Sequence, residues 1–159
     1  MHILLTRQLK DSSDLIFRFN ELGHMVSHLP LLIIKKVLYD HKIFKNYKSI
    51  IFTSANAIKF LDTKKIDKNI KCFCVGSATE KKAKSEGFQN IITADGNVRN
   101  LKELILQNLE PSDGNVVYVS GEIISSDLDQ HLINEGYSVK RVINYKTIHN
   151  ENFDERFVK

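Results

Sequence analysis

Short apolar runs alternate with amphipathic stretches along this chain, and the alternation repeats with the same punctuation. "HILL" (2–5) is an apolar run of strand length. "SSDLIFRFNEL" (12–22) then spaces Leu15, Ile16, Phe19 and Leu22 along one helical face. Gly23 follows as a left-handed helix stop, and "HMVSHLP" returns as a strand. The unit recurs as "KCFCVG" (71–76), "SATEKKAKSEG" and "FQNII". It recurs again as "NVVYVSG" (115–121), "SSDLDQHLINEG" and "YSVKRVINY". Gly23, Gly87 and Gly136 each end a predicted helix and precede a ring-bearing residue and a short strand. Repeated strand–helix–strand units with short loops predict an α/β fold of parallel sheets covered by helices.

Two segments stand outside this rhythm. "LPLLIIKKV" (29–37) begins at a Pro30 break and reads as extended, and "SVKRVINYKT" (138–147) is extended and longer than its neighbours. They divide the chain. Residues 1–30 are the N-terminal part of an outer domain, and 31–37 are a linker strand. Residues 38–137 are a complete inner α/β domain, and 138–147 are a return linker strand. Residues 148–159 are the start of a return to the outer domain, and disorder is expected there because "HNENFDERFVK" has no clear period. Residues 1–28 are too few to bury an apolar helix face unaided, since units below ~40 residues usually need other staples. The outer domain either docks on the inner one or lacks partner elements.

Composition narrows the partners. The chain is 42% hydrophobic and 26% charged, with a net charge of +4 that comes mostly from dispersed Lys. That favours anionic small molecules modestly. It makes no basic stripe with interleaved aromatics, so nucleic acid is not expected as a partner. No apolar run approaches the ~18 residues of a membrane span, and the N-terminus reads as a first strand rather than a secretory signal, so a cytoplasmic location and no membrane partner are expected. Cys72 and Cys74 lie two apart on a strand and share a face, which suits buried small hydrophobes better than a bridge or a metal site. His24 and His28 can share a strand face but lack a third ligand nearby in sequence.

The candidate chemistry sits at the turns. In "IIFTSANAIKFL" (50–61) a buried strand gives way to Thr53-Ser54-Ala55-Asn56 and then to a helical pattern. Such residues cap helices, and the same helix end binds carboxylates or phosphates, so Thr53, Ser54 and Asn56 carry both readings. Gly76, Ser77 and Thr79 form a second turn of this design. Ser77 and Glu80 match a capping box there, and Thr79 lies beyond what the cap needs. Ser120, Gly121 and Glu122 end a third strand, and Thr6 and Arg7 follow the first. Arg7 is either an exposed charge or a bidentate partner for a carboxylate. Turns at successive strand ends would share one rim, where open α/β sheets hold ligands. The sequence has no dinucleotide or P-loop fingerprint, no nucleophile elbow and no paired acid and base. An enzyme built this way works by binding and orienting a reactive substrate.

Six stretches in order, "ILLTR", "GHMVSHLPLLII", "IIFTSANAIKFL", "CFCVGSATEKKAKSEGF", "VVYVSGE" and "VINYKT", resemble uroporphyrinogen-III synthase as far as about Thr147. The resemblance implies two α/β domains joined by a two-stranded β-ladder, the first of them incomplete in this chain. It implies cyclisation of hydroxymethylbilane to uroporphyrinogen III in tetrapyrrole biosynthesis, with inversion of the last pyrrole ring and loss of water. It implies no metal or organic cofactor. The family's substrate is a polycarboxylate held in a cleft, largely by backbone amides. Thr53 and Ser54 match the family's strand-end Thr-Ser, and Thr79 matches the threonine of its second turn. Tyr145 matches the linker tyrosine suspected of a chemical role, with packing across the ladder as the alternative. The full-length family is monomeric by this resemblance. The family's chain normally continues past the second linker, which leaves room here for a partner chain or a swapped second copy. A non-catalytic α/β module for an anionic small molecule is the competing reading.

Overall fold

The structure is a computed structural model and describes residues 1–151. The chain forms two compact units, Met1–Lys35 with Thr147–Lys159, and Lys36–Lys146.

In the first unit, β1 (His2–Leu5) leads through α1 (Leu9–Glu21) to β2 (Met25–His28), and β1 and β2 pair in parallel with His2 opposite Met25 and Leu5 opposite His28. The helix begins three residues before the predicted start, at Leu9. Its apolar face is poorly covered. Leu15 and Leu22 are 39% and 69% exposed, as are Leu4, Leu9, Phe17 and Met25 to comparable degrees. Among the described residues of this unit no hydrophobic side chain is fully buried.

The second unit is built on a parallel sheet. β4 (Tyr47–Phe52) pairs in parallel with β5 (Lys71–Val75) on one side and β7 (Asn115–Gly121) on the other. β6 (Ile91–Ala94) extends the sheet beyond β5, and β8 (Val139–His149) extends it beyond β7. β3 (Leu32–Lys36), of which only Lys36 belongs to the second unit, neighbours β8, giving the order β3-β8-β7-β4-β5-β6. The Val37 N–H donates to the Asn144 carbonyl, and the Asn150 N–H donates to the Leu31 carbonyl, both at 2.9 Å. Register rises on one segment as it falls on the other, so these two segments run antiparallel.

Residues 49–52 and 116–121 are buried without a break, because a central parallel strand has helices on both faces. The side-chain period of two then sorts the core. Ile50, Phe52, Cys72, Cys74, Val117 and Val119 share one face with Ala57 and Ile58 of α2 (Ala55–Lys59) and Ala83 of α3 (Ser77–Ser85). Ile51, Phe73, Val116 and Tyr118 share the other with Leu101 and Ile105 of α4 (Val98–Asn108) and Leu128 and Leu132 of α5 (Leu128–Asn134). Cys72 and Cys74 are free, buried and 3.8 Å apart at sulfur. The neighbouring thiol, followed by burial, pushes the Cys72 thiol far above its ordinary value, so it behaves as a small apolar group.

Gly23, Gly87 and Gly136 close their helices at φ of 75°, 90° and 91°, as their positions require. The capping box expected from Ser77 and Glu80 is absent. Gly76, at φ 76°, occupies the N-cap, so Ser77 is already helical and makes no cap bond. Glu80 pairs down the helix with Lys84 instead. The helix after "NVVYVSG" is shorter than its pattern, starting at Leu128, so Ser125 and Ser126 lie in a loop. α4 is an addition to the predicted elements. Its start is set by Asn97, whose Oδ1 accepts from the Arg99 and Asn100 N–H groups at 2.9 and 3.2 Å. β8 continues to His149, two residues past the predicted linker. Disorder expected beyond residue 151 lies outside the described residues. No helix among the described residues is long and apolar enough to cross a membrane.

The difference in burial between the units sets an expectation for hydrogen exchange. Amides of β4, β5 and β7 should exchange only through global unfolding, while those of β1, α1 and β2 open locally at far lower cost. A protection gap of about 100-fold or more, read by exchange mass spectrometry, is the expected result; equal protection would contradict it.

Candidate functional site

The carboxyl ends of β4 and β7 meet above the sheet, and the turns that leave them line two adjoining cavities. β4 stops at Phe52 because the next residues are polar and the following helix needs a cap. Ser54 supplies it: its Oγ accepts from the Asn56 N–H at 3.2 Å. α2 has only five residues, so its dipole is short and the turn offers hydroxyls and N–H groups rather than a strong field. Thr53, one residue earlier, has its Oγ1 3.1 Å from the Tyr118 hydroxyl.

Tyr118 belongs to the core yet ends in the site. The residue is 1% exposed, and its hydroxyl reaches the rim. Burial raises its phenol above the ordinary value, and the Thr53 hydrogen bond offsets part of that, so the group is a neutral donor and acceptor near neutral pH.

The smaller cavity, about 390 Å³, brings together Thr53, Ser54, Tyr118, Gly121 and Tyr145, with Ser125 at its edge. Gly121 is required by packing. A Cβ there would lie 2.7 Å from Cε2 and Cζ of Tyr145, closer than side chains tolerate. The two residues are register partners across β7 and β8, so the Tyr145 ring lies over the glycine. Phe60 flanks that ring at 6.4 Å between centroids. The Glu122 N–H donates to the Tyr145 carbonyl at 2.9 Å, while Glu122 itself is exposed.

Arg141 sets the turn after β7. Its Nε donates to Ser120 Oγ at 2.8 Å, and its Nη2 donates to the carbonyls of Gly121 and Glu122, each at 2.8 Å. With those carbonyls drawn to the guanidinium, the turn keeps one conformation beside the cavity. Asn144, next to Tyr145, is fully buried, and its Nδ2 donates to the Ala57 carbonyl at 2.6 Å. That bond ties the Tyr145 strand to the helix capped by Ser54.

The larger cavity, about 830 Å³, adjoins the first and shares Thr53, Val98 and Ser125 with it. Gly96 and Asn97 of the loop before α4, with Arg99 in the first turn of α4, form one wall, and Ser126 and His131 lie on another.

Other expected residues lie elsewhere. Asn56, Gly76, Ser77, Thr79 and Glu122 line neither cavity. Thr79 is buried in α3, and Ser77 is exposed. Thr6 and Arg7 belong to the first unit, where the Thr6 carbonyl accepts from the Leu31 N–H at 3.0 Å and the Arg7 carbonyl accepts from His28 Nε2 at 2.7 Å. Pattern reading misses Tyr118, Arg141 and Arg99. Tyr118 and Arg141 carry no local signal, because their partners lie 65 and 20 or so residues away in sequence. Arg99 does carry one: Gly96-Asn97 followed by Val98, Leu101 and Ile105 is a cap before a helical period.

The uroporphyrinogen-III synthase HemD family model matches residues 13–159. Two solved structures align closely in fold. One is a mutant uroporphyrinogen III synthase from the extremely thermophilic bacterium Thermus thermophilus, at 14% identity and TM-score 0.66, with 94% of this chain and 64% of that one covered. The other is the uroporphyrinogen-III synthetase of Helicobacter pylori 26695, at 18% identity and TM-score 0.65, with 97% and 64% covered. At these identities the likeness is one of fold, and the chain spans 64% of the length of either structure. Comparison with curated proteins gave no match.

Gly121→Ala should destabilise the protein by about 1–3 kcal/mol through overpacking on Tyr145. Tyr145→Ala in the same chain should recover most of that loss, a coupling that a double-mutant cycle of chemical denaturation would measure. Additive losses would mean that the ring and the glycine do not touch. Asn144→Ala should cost about 1–3 kcal/mol, since the Ala57 carbonyl loses a buried donor; a loss under half of that would contradict the bond.

Proposed function

The chain belongs to the uroporphyrinogen-III synthase family, and from that premise we propose that it binds hydroxymethylbilane and promotes its closure to uroporphyrinogen III. The observation that carries this reading is the meeting of Thr53, Ser54, Gly121 and Tyr145 around one cavity at the strand ends. These four residues come from three separate parts of the chain, and the family resemblance singles out Thr53, Ser54 and Tyr145 among them. Asn56, Gly76, Ser77, Thr79 and Glu122 stay as proposed further contacts of the second unit although they line neither cavity, and Thr6 and Arg7 as proposed contacts belong to the first unit.

The chemistry needs little beyond orientation and one proton. The terminal hydroxyl of the linear tetrapyrrole leaves as water, and the resulting azafulvene closes through a spiro-pyrrolenine that lets the last ring invert. A phenol can hydrogen-bond the departing oxygen and share its proton as the C–O bond breaks. Tyr145 is the residue assigned that part, because its ring lines the cavity and its backbone is pinned by Glu122. The hydroxyls of Thr53 and Ser54 are assigned to substrate carboxylates, which they can approach without bulk. Holding the linear tetrapyrrole folded so that its ends meet removes internal rotational freedom before closure rather than during it.

A second reading has its own observation. Leu4 of β1 and Leu9, Leu15 and Phe17 of α1 are exposed, Ile3, Leu5, Ile16 and Phe19 are half-buried, and the first unit buries none of its described hydrophobic side chains completely. That favours a module in which the second unit holds the anionic ligand without turning it over.

Supplying hydroxymethylbilane and resolving the products separates the two. An excess of isomer III over the spontaneous isomer I supports the synthase reading, and isomer I only, with ligand still bound, supports the module. For an active chain, Tyr145→Phe should lower kcat about 100-fold and reduce the isomer III fraction. Full rate with full selectivity in that variant would remove Tyr145 from the chemistry.

A further inference from the structure

The larger cavity differs in character from the smaller one. Where the smaller is lined by hydroxyls, a glycine, two phenols and the aliphatic Val98, Ile123 and Ile124, the larger carries Arg99, Lys102 and His131, and no carboxylate lines it among the described residues. Arg99 and Lys102 are three apart on α4 and so project from one face of it. His131 comes from α5 across the cavity. Lys102 makes a 3.0 Å ion pair with Glu135, which occupies one direction of its ammonium. The Arg99 guanidinium has no hydrogen-bond or ion-pair partner among the described residues, although its backbone N–H is used by Asn97. Of the two cations on this helix face, Lys102 is offset by Glu135, and the exposed Arg99 guanidinium is left to face the cavity.

We propose that this cavity is a carboxylate-docking subsite, in which Arg99 takes a carboxylate of the ligand bidentately and Lys102 and His131 hold the same or a neighbouring one. Arg99 is the anchor, because its planar fork matches a carboxylate and nothing else among the described residues engages it. Lys102, held by Glu135, has further ammonium hydrogens to offer, though the pair as a whole adds no net charge. Thr53, Val98 and Ser125 line both cavities, so one elongated ligand can put its reacting end beside Tyr145 and an acidic substituent beside Arg99. Thr53 stands at the junction. The subsite is lined by charged side chains and the smaller cavity by none, so salt should weaken the first more than the second. The identity of the ligand rests on the function proposed above, but the subsite itself rests on Arg99, Lys102 and His131.

The experiment uses the full chain and two probes, uroporphyrin as a stable tetrapyrrole polycarboxylate and citrate as a simple one. Binding is followed by fluorescence or calorimetry, and the Arg99 side-chain resonance by NMR. Wild type should bind both probes, with the Arg99 signal shifting in each titration. Arg99→Gln should weaken both by about tenfold, and Arg99→Gln with Lys102→Gln by about 100-fold, at an unchanged melting temperature. Arg99→Lys should recover part of the loss. Uroporphyrin bound equally well by wild type and Arg99→Gln, yet weakened by Thr53→Val, would overturn the subsite and leave the proposed function standing. Citrate bound through Arg99 with no uroporphyrin binding would support the subsite and count against the proposed function. Failure of both probes to move the Arg99 signal would overturn the subsite outright.

Discussion

Burial of β4 and β7 on both faces is the constraint from which the rest of the second unit follows. A strand with helices above and below has no water to satisfy its backbone, so every N–H and C=O must pair with a neighbouring strand. β4 does this with β5 and β7 on either side. Its side chains from Ile50 to Phe52 are apolar and fully buried, and the polar chemistry gathers beyond its carboxyl end. The amino ends return from helices through glycines; the carboxyl ends open into turns. Thr53, Ser54, Gly121 and the loop before α4 all lie there, which is why the two cavities adjoin.

The site borrows from the core to hold its shape. Tyr118 is packed with Ile51, Val116 and Leu128, and its hydroxyl meets Thr53 at the edge. Arg141 directs its guanidinium to two carbonyls and a hydroxyl of the turn after β7 rather than to an acid. Gly121 leaves out a side chain so that Tyr145 can cross it. Ser54 caps α2 and faces the cavity in the same position, so a helix end and a binding rim are one piece of geometry. Substitutions at these positions touch stability and binding together, and measurements of one without the other would misassign them.

The two units solve the same problem unequally. The second has two contiguous apolar cores, one on each face of its sheet. The first has one helix and two parallel strands besides most of β3 and the end of β8, and buries no hydrophobic side chain completely among its described residues. A two-stranded sheet has too little area to cover a helix face, whatever the residues on it. That contrast sits beside a chain that spans 64% of the solved synthases it resembles in fold.

Much of the fold is legible in the chain because its signals are local. Apolar runs of strand length, helical periods and a glycine after each of three helices need no knowledge of partners. The Thr53-Ser54 turn is legible for the same reason. The Ser77 cap is misread because Gly76 and Ser77 both suit an N-cap, and only the backbone path out of β5 decides between them. α4 leaves a signal at Asn97 that the strand–helix rhythm draws attention away from. What tertiary structure decided are the pairings across long separations. Tyr118 meets Thr53, Arg141 meets the turn after β7, and Tyr145 lies over Gly121 because parallel strands bring together residues that sequence keeps far apart. A pattern along one dimension records which side chains are apolar and where the chain turns. Which hydroxyl faces which cavity depends on the order of strands in the sheet, and local sequence does not encode that order.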